Sequence, residues 1–213
     1  MSPILQVTER DREILDTLVR KVRLFSQRQL ADHFWNRSLA NARRRMKWLA
    51  ENSLVEQLQV QARVTPSLNA PIATWQPGEI LPVFGAIAHA CQQRWKRRPT
   101  QSCVVWIATE KAAQLFGGVR RGEFKNPVQA THDLGVAAVW LRQREIAPRF
   151  AKAWRGEDLL AHTRRGEKLP DAFIVNEEGT VTWVIEFGGG YDADRVQAFH
   201  EDCASRGLPY QLW

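Results

Sequence analysis

Two carboxylates bracket a pair of apolar runs near the C-terminus. Asp171 opens the run Ala172-Phe173-Ile174-Val175, and Glu186 closes Thr180-Val181-Thr182-Trp183-Val184-Ile185. Both runs are rich in β-branched and aromatic residues, and Asn176-Glu177-Glu178-Gly179 between them has turn chemistry, so the segment reads as a hairpin of buried strands. In a hairpin the start of the first strand lies opposite the end of the second, which brings Asp171 and Glu186 together. Two adjacent carboxylates repel unless a proton or a cation separates them, and hard oxygen donors suit Mg²⁺. The chemistry on offer is a metal site at one end of a sheet. The plain alternative is two solvated strand-end acids.

A third acid precedes the hairpin. In Thr131-His132-Asp133-Leu134-Gly135-Val136-Ala137-Ala138-Val139-Trp140-Leu141, Thr131 reads as the N-cap of a helix with Asp133 in its first turn. Leu134, Ala137, Ala138 and Leu141 supply its packing face, and His132 reads as a polar cap residue. The approach to the hairpin, through Arg155 and the basic stretch ending in Arg164, Arg165 and Lys168, reads as irregular structure with room for one strand. Beyond Gly188-Gly189-Gly190, helical spacing of Val196, Phe199 and Cys203 ends at Gly207, a C-cap residue. Pro209 to Trp213 then forms a last strand, joined to the sheet by a crossover.

A different chemistry appears in the first third of the chain. Thr8 caps a helix with acids in its first turn and Ile14, Leu15, Leu18 and Val22 on its inner face. Ser26 caps a second helix, 27–35, and a third begins near Ser38 with Leu39, Ala42, Met46 and Leu49 as its apolar stripe. That leaves Asn41, Arg43, Arg44 and Lys47 on the opposite face, with Arg45 at the boundary. Arg bonds guanine edges bidentately, Asn bonds adenine, and Lys neutralises phosphate, so this face suits DNA. The bland reading is the solvated side of an amphipathic helix. An alternating strand over 54–60 and a second over 62–64 follow.

Residues 66–102 are proline-bearing, a connector with one inserted helix over 83–96 that closes on Arg94, Lys96, Arg97 and Arg98. Basic residues at a helix C-terminus favour the dipole, and the same cluster could face DNA. A strand over 103–108 and a short helix to Phe116 lead to Gly117-Gly118, which lacks the Gly-Lys-Ser/Thr of a phosphate loop.

Composition narrows the class. A chain of 213 residues, 44% hydrophobic and 25% charged, is an ordinary globular protein long enough to need no covalent staples. No apolar run could span a bilayer and no secretory pattern opens the chain, so no membrane association is expected. Cys91, Cys103 and Cys203 are odd in number and widely spaced, which fits a reducing cytoplasm. The net charge of +7 is uneven: about +5 over residues 1–64, +8 over 65–168 and −6 over 169–213. A basic body attracts polyanions, whereas the acidic end would repel phosphate without a cation.

The first 65 residues resemble a winged helix-turn-helix domain, in which the third helix enters the major groove and the strand pair forms the wing. The segment from Asp133 through Pro170-Asp171 and Ile185-Glu186-Phe187 resembles the PD-(D/E)XK nuclease fold. That resemblance implies Asp171 and Glu186 as Mg²⁺ ligands, Asp133 as a third, and a lysine two residues after the Glu to assist the nucleophile. Here the sequence reads Glu186-Phe187-Gly188 and no lysine follows. Lys168, Arg165 and Arg195 are the nearest basic residues, and Arg is a poor proton acceptor.

Taken together the chain resembles the replication-relaxation family of bacterial plasmid and mobile-element proteins. The resemblance implies a mixed α/β architecture: winged helix 1–65, connector 66–102, and a restriction-endonuclease-like domain 103–213 with a central mixed sheet. It implies a cytoplasmic protein that binds double-stranded DNA in plasmid replication, relaxation or mobilisation, with other plasmid proteins as partners and a divergent nuclease-like domain. Two alternatives stand beside it. One is an active Mg²⁺-dependent endonuclease with Lys168 as the migrated base; the other is a homodimeric winged-helix transcriptional regulator.

Overall fold

The computed structural model describes residues 6–96, 98–119, 127–160 and 169–213, which fold as a mixed α/β protein with two sheets. Local signals start the chain. Thr8 and Ser26 each accept from the backbone three residues on, and Asp11 and Gln29 reciprocate, forming two capping boxes. They open α1 (Glu9–Arg20) and α2 (Gln27–Phe34), with the two-residue strand β1 (Phe25–Ser26) between them. Ser38 caps α3 (Leu39–Glu51), which buries Ala42, Met46 and Leu49 as its stripe predicts.

The wing is built differently from expectation. β2 (Val55–Arg63) is one continuous strand, so residues 62–64 do not form a second. After β3 (Ala73–Trp75) and α4 (Phe84–Gln93), β4 (Thr100–Ala108) returns to pair antiparallel with β2 from Val55↔Ala108 to Arg63↔Thr100. β4 also pairs with β1, giving the order β1-β4-β2. Its inner residues Val105 and Ile107 bury with Leu24 and Ala62, an apolar match that residues 62–64 alone could not supply. The sheets therefore cut across boundaries at 65 and 102. β4 and α5 (Glu110–Phe116) pack with the N-terminal helices, while β3 of the connector belongs to the second sheet.

That second sheet comprises β5 (Trp154–Gly156), β6 (Ala172–Val175), β7 (Val181–Glu186) and β8 (Tyr210–Leu212) with β3 in the order β3-β8-β7-β6-β5. β6 and β7 form the expected hairpin; its turn uses Gly179 at φ +81°, a conformation that favours glycine. β8 runs parallel to β7 after the crossover helix α9 (Ala193–Ser205).

Side chains alternate between the sheet's two faces. Phe173, Val184 and Tyr210 bury with α4 and α9. Ala172, Ile174 and Ile185 bury against α6 (Pro127–Ile146) and α7 (Pro148–Ala153). This second core is continuous with that of the N-terminal helices, because Phe25 and Phe34 share a cluster with Trp140, Trp154 and Phe187.

Candidate functional site

The carboxylate site forms where α6 crosses the end of the β6–β7 hairpin. Ala172 pairs with Ile185, which sets Asp171 beside Glu186 as the hairpin predicts. The Asp171 N–H donates to Glu186 Oε2 at 3.0 Å, and the Phe187 N–H donates to Asp171 Oδ2 at 2.7 Å. The Tyr191 hydroxyl donates to Glu186 Oε1. His132 Nε2 lies 2.7 Å from Asp171 Oδ1. Each oxygen of both carboxylates thus already holds a hydrogen bond from the protein.

α6 starts at Pro127, not at a Thr131 cap, so Asp133 lies in the second turn. Proline is pre-organised for a first helical turn, and the Thr131 hydroxyl instead accepts from the Arg63 N–H of β2 at 3.0 Å. His132, on the same helix, reaches Asp171. Asp133 is 4% exposed; its Oδ1 lies 3.8 Å from the Arg23 guanidinium, and its Oδ2 is buried without a hydrogen-bond partner among the described residues. Arg23, between α1 and β1, also bonds Asp158 at 2.9 and 3.0 Å and Glu157 at 3.2 Å, tying the N-terminal helices to the acids of α8 (Glu157–Leu160).

Burial and opposing charges set the protonation of this cluster. Burial disfavours charge on His132, but Asp171, with help from Glu186 and Asp133, outweighs it and raises the imidazole to about 9. Burial and then the Asp171 charge push Glu186 up to about 8, against the Tyr191 and backbone donors. Burial likewise lifts Asp133 to about 6, with Arg23 opposing. Burial thus favours the neutral form of Glu186, while the Asp171 charge favours the imidazolium form of His132.

Mg²⁺ requires oxygens free to coordinate in near-octahedral geometry. The Asp133, Asp171 and Glu186 side chains have the right donor chemistry, and Asp133 Oδ2 lacks a partner. As arranged they do not fit the ion: Asp171 and Glu186 are directed at N–H and O–H donors, and the His132 cation already sits on Asp171. Among the described residues no three His, Cys, Asp or Glu side chains form a metal-holding group. Lys168 and Arg165, proposed substitutes for the missing lysine, lie outside the described residues, and Arg195 instead covers the Tyr191 ring at 4.4 Å. Sequence reasoning missed His132, Tyr191 and Arg23 as members of this cluster.

The second candidate surface is α3. Asn41, Arg43, Arg44 and Lys47 are exposed, as the stripe predicts. Arg44 donates to Asn41 at 3.0 Å. Arg45 is committed elsewhere: its guanidinium bonds the fully buried Asp11 at 2.6 to 3.1 Å and lies over the Trp48 ring at 4.0 Å. Burial would raise the Asp11 carboxyl, but Arg45 and Thr8 outweigh it and hold it below the usual range. Arg43 and Arg63 both line a groove of about 910 Å³ bounded by α2, the β2–β4 ladder and α6. No described helix is long and apolar enough to cross a membrane. Compared with known proteins, the chain matches no family model, no curated protein and no solved structure.

Proposed function

We propose that the chain is a DNA-binding protein of a plasmid or mobile element. In this reading the unit of α1 to α3 with the β2–β4 ladder engages duplex DNA, and the second sheet carries a divergent nuclease-like site that contacts DNA or protein without cutting. The observation that carries it is the outer face of α3: Asn41, Arg43, Arg44 and Lys47 stand exposed and, among the described residues, without a carboxylate partner, on the third helix of a three-helix unit followed by an antiparallel ladder. Some arginines elsewhere are matched to acids, as in Arg23–Asp158, Arg28–Asp32 and Arg206–Asp202. An unmatched cationic face costs self-repulsion unless it meets a polyanion.

The order helix, hairpin, helix, strand, with Asp171 beside Glu186, supports a nuclease-like ancestry for the second sheet. The hydrogen-bonded state of both carboxylates supports a site that does not cleave. The feature favouring the alternative, an active Mg²⁺ nuclease, is the unpartnered Asp133 Oδ2.

The test is incubation of the protein with supercoiled and linear duplex DNA, with Mg²⁺ or Mn²⁺, beside Asp171→Ala and Glu186→Ala. Salt-dependent binding without strand scission is expected, and Arg43→Ala with Arg44→Ala should weaken it and lower the salt slope by about 2. Cleavage abolished by both carboxylate substitutions would replace this reading with the nuclease. Affinity unchanged by the arginine substitutions would remove α3 as the DNA-contacting face.

A further inference from the structure

The basic turn that ends α4 lies against the loop that follows Glu186. Trp95 Nε1–H donates to the Gly189 carbonyl at 2.8 Å, and its ring meets Phe187 edge-on at 6.0 Å. Gln92 Nε2 donates to the Tyr191 carbonyl at 3.2 Å. One turn back, Cys91 Sγ approaches Gly188 so closely that a Cβ there would sit 2.8 Å from it. Contacts on Phe187, Gly188, Gly189 and Tyr191 therefore hold the end of α4 and this turn beside the segment that follows Glu186.

Arg94 sits in that turn half-buried, and it makes no ion pair among the described residues. Burial lowers its affinity for a proton, with the charge of Cys91 opposing. A guanidinium withdrawn from water without a counter-anion is costly, and this molecule elsewhere supplies one: Arg23 and Arg45, equally half-buried, are each bonded to carboxylates. Lys96 is exposed in the same turn and also lacks an acidic partner among the described residues. Arg98 donates to the Arg94 carbonyl at 2.8 Å and reaches the Val64 carbonyl at 3.4 Å. That contact joins the turn to the end of β2, where Arg63 is exposed and lines the same groove as Arg43 of α3. Arg63 thus lies between Arg43 of α3, on the groove, and the turn that packs on residues 187–191.

We infer that the turn after α4 is a phosphate-binding rim of the carboxylate site, in which Arg94 and Lys96, continued by Arg63, grip the backbone of the duplex held by α3. The inference rests on the DNA-binding reading and extends it to a second contact region. Phosphate supplies the anion that Arg94 lacks, and Arg can bond two phosphate oxygens at once. The rim also explains how a polyanion could lie beside an acidic terminal segment without a metal ion.

The test is binding of a random-sequence duplex to the full chain over a range of salt concentrations. The proteins compared are the wild type, Arg94→Gln with Lys96→Gln, Arg63→Gln with Lys96→Gln, and Arg43→Ala with Arg44→Ala. The second pair alters exposed residues only, so it reports even if the half-buried Arg94 proves necessary for folding. Each rim pair should weaken binding several-fold and reduce the slope of log affinity against log salt by about 1 to 2. Wild-type slope and affinity in both rim pairs, with weakened binding in the α3 pair, would overturn the rim and leave the DNA reading intact. Absence of duplex binding by the wild type would overturn both. Saturable binding of inorganic phosphate that Arg94→Gln abolishes, with duplex affinity unchanged, would also overturn the rim by assigning the site to a free anion.

Discussion

At the carboxylate site, three groups couple folding to pH with the same sign. His132 is raised from 6.5 to about 9, so its contribution is complete below about pH 6.5 and is lost as pH rises through about 9. Glu186 and Asp133 are raised carboxyls, favoured when protonated, and their contributions fall between 4.5 and about 8 and between 3.8 and about 6. Thermal stability should therefore decline from pH 6.5 to 9. Gln at position 186 mimics the protonated acid, and Tyr191 can rotate to accept from its amide. Glu186→Gln should match the wild type near pH 5 and exceed it at pH 9 by about 1 kcal/mol or more, or roughly 2–4 °C in Tm. Parallel melting curves across that range would refute the buried acid. His132 itself should titrate near 9 by NMR and return toward 6.5 in Asp171→Asn. The pairing of Asp171 with Glu186 was legible in the sequence because hairpin register follows from local pattern. His132 was not, because its contact with Asp171 depends on how α6 crosses the hairpin, and Tyr191 was hidden behind a glycine turn whose path no periodicity reveals.

Among the helices, α3 divides its basic residues between two tasks. Arg45 neutralises Asp11, which is 0% exposed at the start of α1. Arg45→Ala would leave that carboxylate with only its Thr8 donors, and should cost about 3 kcal/mol in chemical denaturation. Arg43→Ala with Arg44→Ala should leave the same midpoint nearly unmoved, since surface substitutions are usually within about 0.5 kcal/mol. Equal midpoints for all three would mean that the Asp11 pair carries no stability. The apolar stripe revealed which face of α3 is buried, but a boundary residue such as Arg45 is decided by what α1 presents to it. Helix α6 has its own packing constraint at Gly135, where a Cβ would fall 2.1 Å from the Phe187 ring. Phe187 is 1% exposed and packed between Trp95 and His132, so its ring has little room to yield. Gly135→Ala should destabilise by about 1–3 kcal/mol and push His132 off Asp171, lowering the histidine's titration midpoint as well. A destabilised variant with an unaltered histidine would separate the packing defect from the site. Strand β2 was readable from its alternation and β4 as a strand over 103–108, but their pairing was not, because the chain first travels to the other sheet and back.

For the molecule as a whole, the path of the chain argues against modules that fold apart. Residues 64–99 leave the first sheet, supply β3 to the edge of the second, pack α4 on α9, and return as β4 beside β2. The first sheet cannot close until that excursion is complete. One apolar cluster joins Ile14, Phe25 and Met46 to Trp140, Trp154 and Trp213, and Trp154 Nε1 donates to the Lys21 carbonyl at 3.1 Å. Polar ties cross at the same place, from Arg23 to Asp158 at 2.9 Å and from Arg144 to Glu13 at 3.0 Å. Composition had placed boundaries at either end of the proline-bearing stretch 66–102, and these do not mark where apolar surface is shared. An independently folding segment 1–65 would expose the faces of Phe25, Phe34 and Val55 that Trp140, Trp106 and their neighbours cover. Calorimetry of the full chain should accordingly give one cooperative transition, with calorimetric and van't Hoff enthalpies in agreement. The isolated segment 1–65 should lack that transition and bind duplex DNA poorly even though it contains all of α3. Two resolved transitions, or a folded and binding-competent 1–65 fragment, would restore the division into separate domains.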